Sequence, residues 1–271
     1  MPPVIEIELA EQLLTQQGDA ETIRQRTRAI YDRLLDESPR LDSPNFRRLH
    51  PDDLRRMFDL YDAAFFAGAC RKVLGDMPLS FRVSQRMTLA AGKTMRHEHY
   101  TRAGLTFYCE FEIVVSSSLL MQTFRGEERE VTVSGLVCRD RLEALQRVME
   151  HEMVHLLEML LWRDSNCGAE RFQAIAERFF LHTHHQHALI TARERAWRDF
   201  GIRSGVWVRF THRGQLYTGR VNRITRRATV LVRDPQGVRY SDGNHYRKFY
   251  VPVTRLERIE TPCIPADGEL A

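Results

Sequence analysis

The sequence predicts an α+β chain that ends in a small SH3-like all-β barrel. Three observations carry this reading. Amphipathic helical segments fill the first third and the middle, alternating or β-branched runs cluster between residues 79 and 138, and after Gly201 the texture switches to short strands separated by turn residues. A chain of 271 residues suits one large domain or two modest ones and is long enough to bury a core. Apolar residues make up 43% and charged residues 28%, which excludes general disorder and collagen-like repeats.

Taken in order, residues 1–18 read as loose. Ile23, Ile30, Leu34 and Leu35 recur at near-helical spacing between Ala20 and Ser38, and Pro39 closes that segment. A second helix is expected from Asp52 to Phe66, with Leu54, Met57, Phe58, Tyr61 and Phe65 on one face and Gly68 as its stop. Leu79–Ser84, Ala90–Met95 and Thr106–Val115 read as strands, Leu119–Met121 as a short helix, and Val131–Cys138 as a strand or an insertion. The strongest helix follows, capped by Asp140 and carrying Leu142, Leu145, Val148, Met149, Met153, Leu156 and Leu160. Helices over Ala169–Phe180 and Ala192–Phe200 flank a His-rich turn, His182–His187. Beyond Gly201, runs such as Val206–Phe210, Leu216–Val221, Ala228–Val232 and Tyr250–Val253 suggest the barrel, with a domain boundary near 198–204.

The five cysteines form no C-x-x-C pair, which argues against a disulfide framework or a zinc ribbon and fits a reducing cytosol. The first ten residues carry Glu6 and Glu8 and no basic, apolar leader, and no run of 18 apolar residues occurs. A cytoplasmic protein without a membrane segment is expected.

The most informative segment is His151-Glu152-Met153-Val154-His155. On a helix, i and i+4 lie one above the other, so both imidazoles project to one side and can hold one Zn²⁺. Glu152 lies beside them, where a carboxylate can take a proton from water at the metal. About 3 in 100 chains of this composition would contain the pentapeptide by chance, but here it falls inside a strongly amphipathic helix free of Pro and Gly. The alternative is a pair of exposed histidines beside an acid. A third ligand is needed. Cys167 is the nearest candidate, twelve residues past His155 and at the start of the next helix, where the dipole favours a thiolate; a small buried cysteine is the other reading. Glu170 is a second candidate and also suits a surface acid. His182 lies about 20 Å farther along a straight helix, which makes it a poor partner for Cys167 on one metal; its cluster also reads as a solvated turn. Glu158, one turn past His155, suits either an acceptor behind an imidazole or a solvated position.

At these residues the chain resembles the SprT-like zinc metalloprotease family, the Spartan-related zincins, which include a protease of DNA–protein crosslinks. The matching pieces are Leu60-Tyr-Asp-Ala-Ala-Phe-Phe-Ala-Gly68, Ala91-Gly-Lys-Thr94, Glu112-Ile-Val-Val-Ser-Ser-Ser-Leu-Leu120, His151-Glu-Met-Val-His155 and the turn at Cys167-Gly168, in the family's order and spacing over about residues 52–180. The resemblance implies a zincin-like fold of helices and a small mixed sheet, His151 and His155 as zinc ligands, Glu152 as general base, and hydrolysis of peptide bonds in a protein substrate. The family's third ligand is usually a His followed by Gly; Cys167-Gly168 stands at that position here. A thiolate gives zinc more electron density than imidazole and weakens it as a Lewis acid. The expected organisation is a helical extension (1–50), a SprT-like zincin domain (51–200), the barrel (201–262) and a tail (263–271).

The whole-chain charge of +4 conceals an asymmetry. Residues 201–262 hold 13 Arg or Lys against 4 Asp or Glu, a local +9 that leaves −5 for the rest. Only three cations of the chain are Lys, which fits a GC-rich genome or selection for bidentate phosphate contacts. In the last module cations alternate with aromatics, as in Trp207-Val-Arg-Phe210 and Tyr246-Arg-Lys-Phe-Tyr250. Arg209, Arg220, Arg226, Arg227, Arg247 and Lys248 are the candidate contacts to DNA or another nucleic acid. Peptide recognition and a purely structural barrel are the other readings, and a non-proteolytic binding protein with a structural zinc is the alternative for the whole chain.

Overall fold

The computed structural model describes residues 3–100, 106–126 and 129–260, so the 263–271 tail with Cys263 lies outside the described residues. The chain divides after Ile190 into two compact units. It is α+β throughout, and among the described residues no helix is long and apolar enough to cross a membrane.

The first unit begins with α1 (Val4–Thr15) and α2 (Ala20–Glu37). The stretch expected to be loose is therefore a helix. Its stripe is hard to see in the sequence because Val4, Ile7 and Leu14 are exposed while only Leu9 and Leu13 are buried. Asp19 caps α2 by accepting from the Thr22 amide. The helix α3 (Pro51–Phe66) starts with Pro in its first turn and a reciprocal cap between His50 and Asp53. A short α4 (Ala69–Leu74) follows Gly68; Asp62 accepts from the amides of Cys70 and Arg71 and fixes that corner.

Three strands form a mixed sheet, β1 (Leu79–Ser84), β2 (Gly92–Tyr100) and β3 (Thr106–Ser116), with β3 central, parallel to β1 and antiparallel to β2. Both faces of β3 are covered, since Ile113, Val114 and Val115 are all buried. After α5 (Ser117–Gln122), the hairpin β4 (Val131–Val133) and β5 (Leu136–Cys138) turns through Ser134 and Gly135, both at positive φ. Then come the long α6 (Arg141–Trp162) and α7 (Glu170–Phe180). The helix α6 is the axis of this unit and packs against α3, α7 and β2. Arg141, at its start, is buried and donates to the carbonyls of Leu120, Thr123, Asn45 and Phe46, tying α6 to two loops. Residues 1–50 share this core: Leu9, Leu13, Ile23, Ile30, Leu34 and Phe46 belong to the same buried cluster as α6. They are part of the unit, not an appended extension.

The second unit opens with α8 (Ala192–Phe200), ahead of the composition shift near 198–204, because Ala196 and Ile202 are buried in the second core. Five strands follow: β6 (Trp207–His212), β7 (Gln215–Ile224), β8 (Ala228–Arg239), β9 (His245–Val251) and β10 (Glu257–Ile259). They form one antiparallel sheet in the order β10-β6-β7-β8-β9. The expected barrel is not closed. Pro252 and a 3-10 turn divert the chain after β9, and three-residue β10 pairs only with β6. The sheet does curl: Phe210 of β6 and Phe249 of β9 would be about 14 Å apart across three flat strand spacings, and their ring centroids are 5.3 Å apart.

Leu34 is fully buried in the shared core, so Leu34→Ala is expected to cost about 2–5 kcal/mol of stability. Urea unfolding followed by circular dichroism measures this. A loss under about 0.5 kcal/mol would mean that the N-terminal helices do not belong to the cooperative unit.

Candidate metal centre

The polar groups of α6 are arranged around one focus. His151 and His155, one turn apart, and Cys167, from the turn before α7, bring one donor atom each within 4.8 Å of one another. Tetrahedral bonds of about 2.0–2.3 Å would hold such donors roughly 3.3–3.8 Å apart, and donors within 4.8 Å of one another are close to that spacing. The Cys167 turn is built locally: Arg163 ends α6 in the left-handed region, the Asn166 side chain accepts from the Gly168 amide, and its carbonyl accepts from Ala169. Phe172 of α7 lies against both imidazoles, with centroids 4.9 Å from His151 and 4.5 Å from His155.

The imidazoles are kept neutral, as ligands must be. Burial pushes His151 down to about 3, helped by the neighbouring histidines, and burial lowers His155 despite the opposing charge of Glu158. Behind His155 runs a hydrogen-bonded relay. The Ser165 hydroxyl donates to Glu158 Oε2 at 2.7 Å, so it receives the Nδ1 proton of His155, also at 2.7 Å. Glu158, fully buried, takes Arg171 Nε on its other oxygen at 2.6 Å. This fixes the tautomer and leaves Nε2 of His155 for a ligand. Glu158 thus supports the imidazole through Ser165, a link that helical spacing alone does not show. Burial and the charges of Glu152 and Glu158 hold the Cys167 thiol up, so a thiolate there calls for a cation beside it. The donor set fits a metal ion on these grounds.

The other candidates fall outside the focus. Glu170 is exposed on the first turn of α7. His182 is buried and bonds Glu150 Oε2 through Nε2 at 2.9 Å. Glu150 also takes Tyr61 Oη at 2.6 Å and Arg147 at 2.9 Å. Burial alone would raise the Glu150 carboxyl, and Arg147, His182 and Tyr61 more than offset it, so it lies below the ordinary range. That cluster is a buried network around Glu150 in which His182 Nδ1 has no partner among the described residues.

Glu152 is different. It is 3% exposed, and among the described residues its carboxylate has a single hydrogen-bond partner, Thr94 Oγ1 at 2.8 Å. Burial pushes its carboxyl up to about 7, with the Thr94 contacts only partly offsetting. Gly92 explains how β2 comes this close: a Cβ there would stand 2.4 Å from Glu152 Oε1. Gly92 and Thr94 are thus positioning residues for Glu152. Their signal lay in the strand segment Ala91-Gly-Lys-Thr94, whose function spacing does not reveal.

In the second unit the strand register puts Trp207, Arg220, Leu231 and Lys248 in one row across β6–β9. Arg209 lies on the same face as Trp207, and Arg223, missed in the sequence, shares it with Thr229 and the 59%-exposed Tyr250. Arg226 and Arg227 lie in the β7–β8 turn. Arg247 alternates to the other face and pairs with Asp234 at 2.6 Å, so its charge is already matched.

Comparison with known proteins yields no matching family model, no matching curated relative and no matching solved structure.

The Glu152 environment sets a pH signature. Between its ordinary value of 4.5 and about 7, the folded chain keeps a proton that the unfolded chain has lost, so this group makes stability fall as pH rises through that window. His151 acts oppositely: its contribution is present above its ordinary 6.5 and is lost as pH falls toward about 3. The difference between the parent and Glu152→Gln isolates the first effect. Without metal, Glu152→Gln is expected to gain up to about 3 kcal/mol relative to the parent from pH 4.5 to 7.5. Urea midpoints in a chelator measure it, and a pH-independent difference would contradict the buried carboxyl.

Proposed function

We propose that the chain is a zinc-dependent peptidase of the SprT-like type, acting on proteins at or near DNA. The observation that carries this is Glu152: a buried carboxyl, held by Thr94 and raised by burial, beside a His151–His155–Cys167 donor group. Imidazole and thiolate donors suit zinc, and three protein ligands are what a catalytic site provides. His151, His155 and Cys167 would hold the ion, which supplies Lewis acidity toward a carbonyl and toward water when bound.

The remaining chemistry belongs to the chain. Glu152, made more basic by burial, can take a proton from the attacking water and pass it to the departing amine. Thr94 anchors one carboxylate oxygen and leaves the other for that proton. Ser165, Glu158 and Arg171 keep His155 in one tautomer. The cationic, aromatic face of the second unit supports recruitment to nucleic acid: Arg209, Arg220 and Lys248 can take phosphates while Trp207 and Tyr250 offer rings for stacking.

Two measurements test the reading. Purified chain should carry about one zinc by elemental analysis, Cys167→Ala should lower that content, and Glu152→Gln should keep zinc while losing cleavage of an unfolded protein by at least about a hundredfold. Undiminished cleavage by Glu152→Gln would reject it as base. Single-stranded DNA affinity should fall steeply with salt, and replacing Arg209, Arg220 and Lys248 together by Ala should flatten the log–log slope by about 2. A salt-independent affinity would exclude the sheet face as a phosphate-binding surface.

A further inference from the structure

Residues 38–50 join α2 to α3 without helix or strand, yet they are held at both ends and in the middle. Asp53, 2% exposed, accepts from the Ser38 hydroxyl at 2.6 Å on one oxygen and from the His50 amide at 2.8 Å on the other, which ties the ends together. Arg141 donates to the carbonyls of Asn45 and Phe46, and the Leu142 amide donates to the Pro44 carbonyl at 3.0 Å. The Leu41 and Phe46 side chains are buried in the core. Such anchoring fixes side chains in advance, which is what a binding loop requires. This loop presents cations. Arg40, Arg47, Arg48 and His50 line a cleft of about 460 Å³, and among the described residues no acid lines it. The SprT-like resemblance begins near residue 52, so this loop lies outside it.

The positive charge of the cleft is only partly matched. Arg40 and His50 share Asp52, at 3.7 and 3.0 Å. Arg47 and Arg48 are exposed, and their guanidinium groups have no hydrogen-bond or ion-pair partner among the described residues. On the neighbouring helices, by contrast, Arg28, Arg33 and Arg56 each lie 2.9 Å from an acid. Adjacent guanidinium groups repel one another, and a phosphate chain relieves this by taking paired N–H donors on its oxygens. The cleft has room for more than phosphate, since sites for whole small molecules span about 300–1,000 Å³. Leu49, Val83 and Met121, all half-buried, line the rest of it, and Gln85 and Ser117 add polar groups. That mixture suits a base, which has apolar faces and a hydrogen-bonding edge. We propose that this cleft binds a nucleoside di- or triphosphate, with the phosphates on Arg47 and Arg48 and the base against Leu49, Val83 and Met121. Neither metal binding nor peptidase activity enters into this site.

Calorimetry of the full chain with ATP and with inorganic triphosphate tests this. ATP is expected to bind at least about tenfold tighter than inorganic triphosphate, because only ATP carries a ring to bury. Replacing Arg47 and Arg48 together by Ala should weaken ATP at least about tenfold. Gln85→Glu, at an exposed position on the cleft, puts an acid into it and should also weaken ATP, which gives the same readout if the double variant does not fold. Replacing Arg209, Arg220 and Lys248 by Ala should leave ATP affinity unchanged, which separates this cleft from the sheet face of the second unit. Equal affinity for ATP and inorganic triphosphate, or undiminished ATP affinity in a folded cleft variant, would overturn the assignment. So would a chain that fails to bind ATP but loses affinity for a single-stranded oligonucleotide when Arg47 and Arg48 are replaced, because the cleft would then be a nucleic-acid contact.

Discussion

The first unit depends on one constraint: a helix buried on nearly every side must satisfy three carboxylates. Glu150, Glu152 and Glu158 of α6 are 0%, 3% and 0% exposed. An unpaired charge at such depth costs several kcal/mol, so each group needs partners or must hold a proton. Glu150 has Arg147, His182 and Tyr61, and Glu158 has Arg171 and Ser165. Among the described residues, Glu152 has Thr94 alone. The scaffold gives two of the three acids cationic partners and leaves the third without one, so burial raises it. That asymmetry turns a packed helix into a candidate site, and Gly92 leaves the room that β2 needs to approach it.

Much of this was legible in the sequence. The spacing of His151 and His155 on a helix capped by Asp140 follows from periodicity and capping alone, and the structure has both features. The alternation that placed β1 and the β-branched, aromatic run that placed β3 also match the structure. What stayed hidden is what depends on contacts distant in sequence. Nothing local marks Thr94 as the partner of an acid 58 residues on. Ser165 reads as a loop serine until α6 and its own turn bring it between His155 and Glu158. The helix α1 was missed because half its apolar residues face outward, and the barrel because strand texture predicts pairing but not which edges meet. Arg247 shows the same limit: composition counts it as a free cation, while one register position brings it to Asp234.

The His-rich turn, His182–His187, illustrates how residues of one type separate once packing is known. His182 enters a buried ion-pair network, His187 is held by the Leu89 carbonyl, and His185 lines a cavity beside Glu152 and His151. None of these roles is metal ligation, though all three lie near a metal-competent group. The division follows from depth: a histidine with a carboxylate at 2.9 Å and 1% of its side chain exposed is held by that carboxylate.

The proposed ligand set and the pKa of Glu152 also bear on each other. A thiolate donates more charge to zinc than an imidazole does, so a site with Cys167 activates its water less than a three-histidine site would. The deficit falls on the base, and burial holds the Glu152 carboxyl above its ordinary range in the metal-free chain, so as a base it takes a proton more strongly than an exposed carboxylate. The same burial that raises Glu152 therefore works in the direction that Cys167 requires. It also sets a limit, because a carboxyl that already holds its proton has no base to offer.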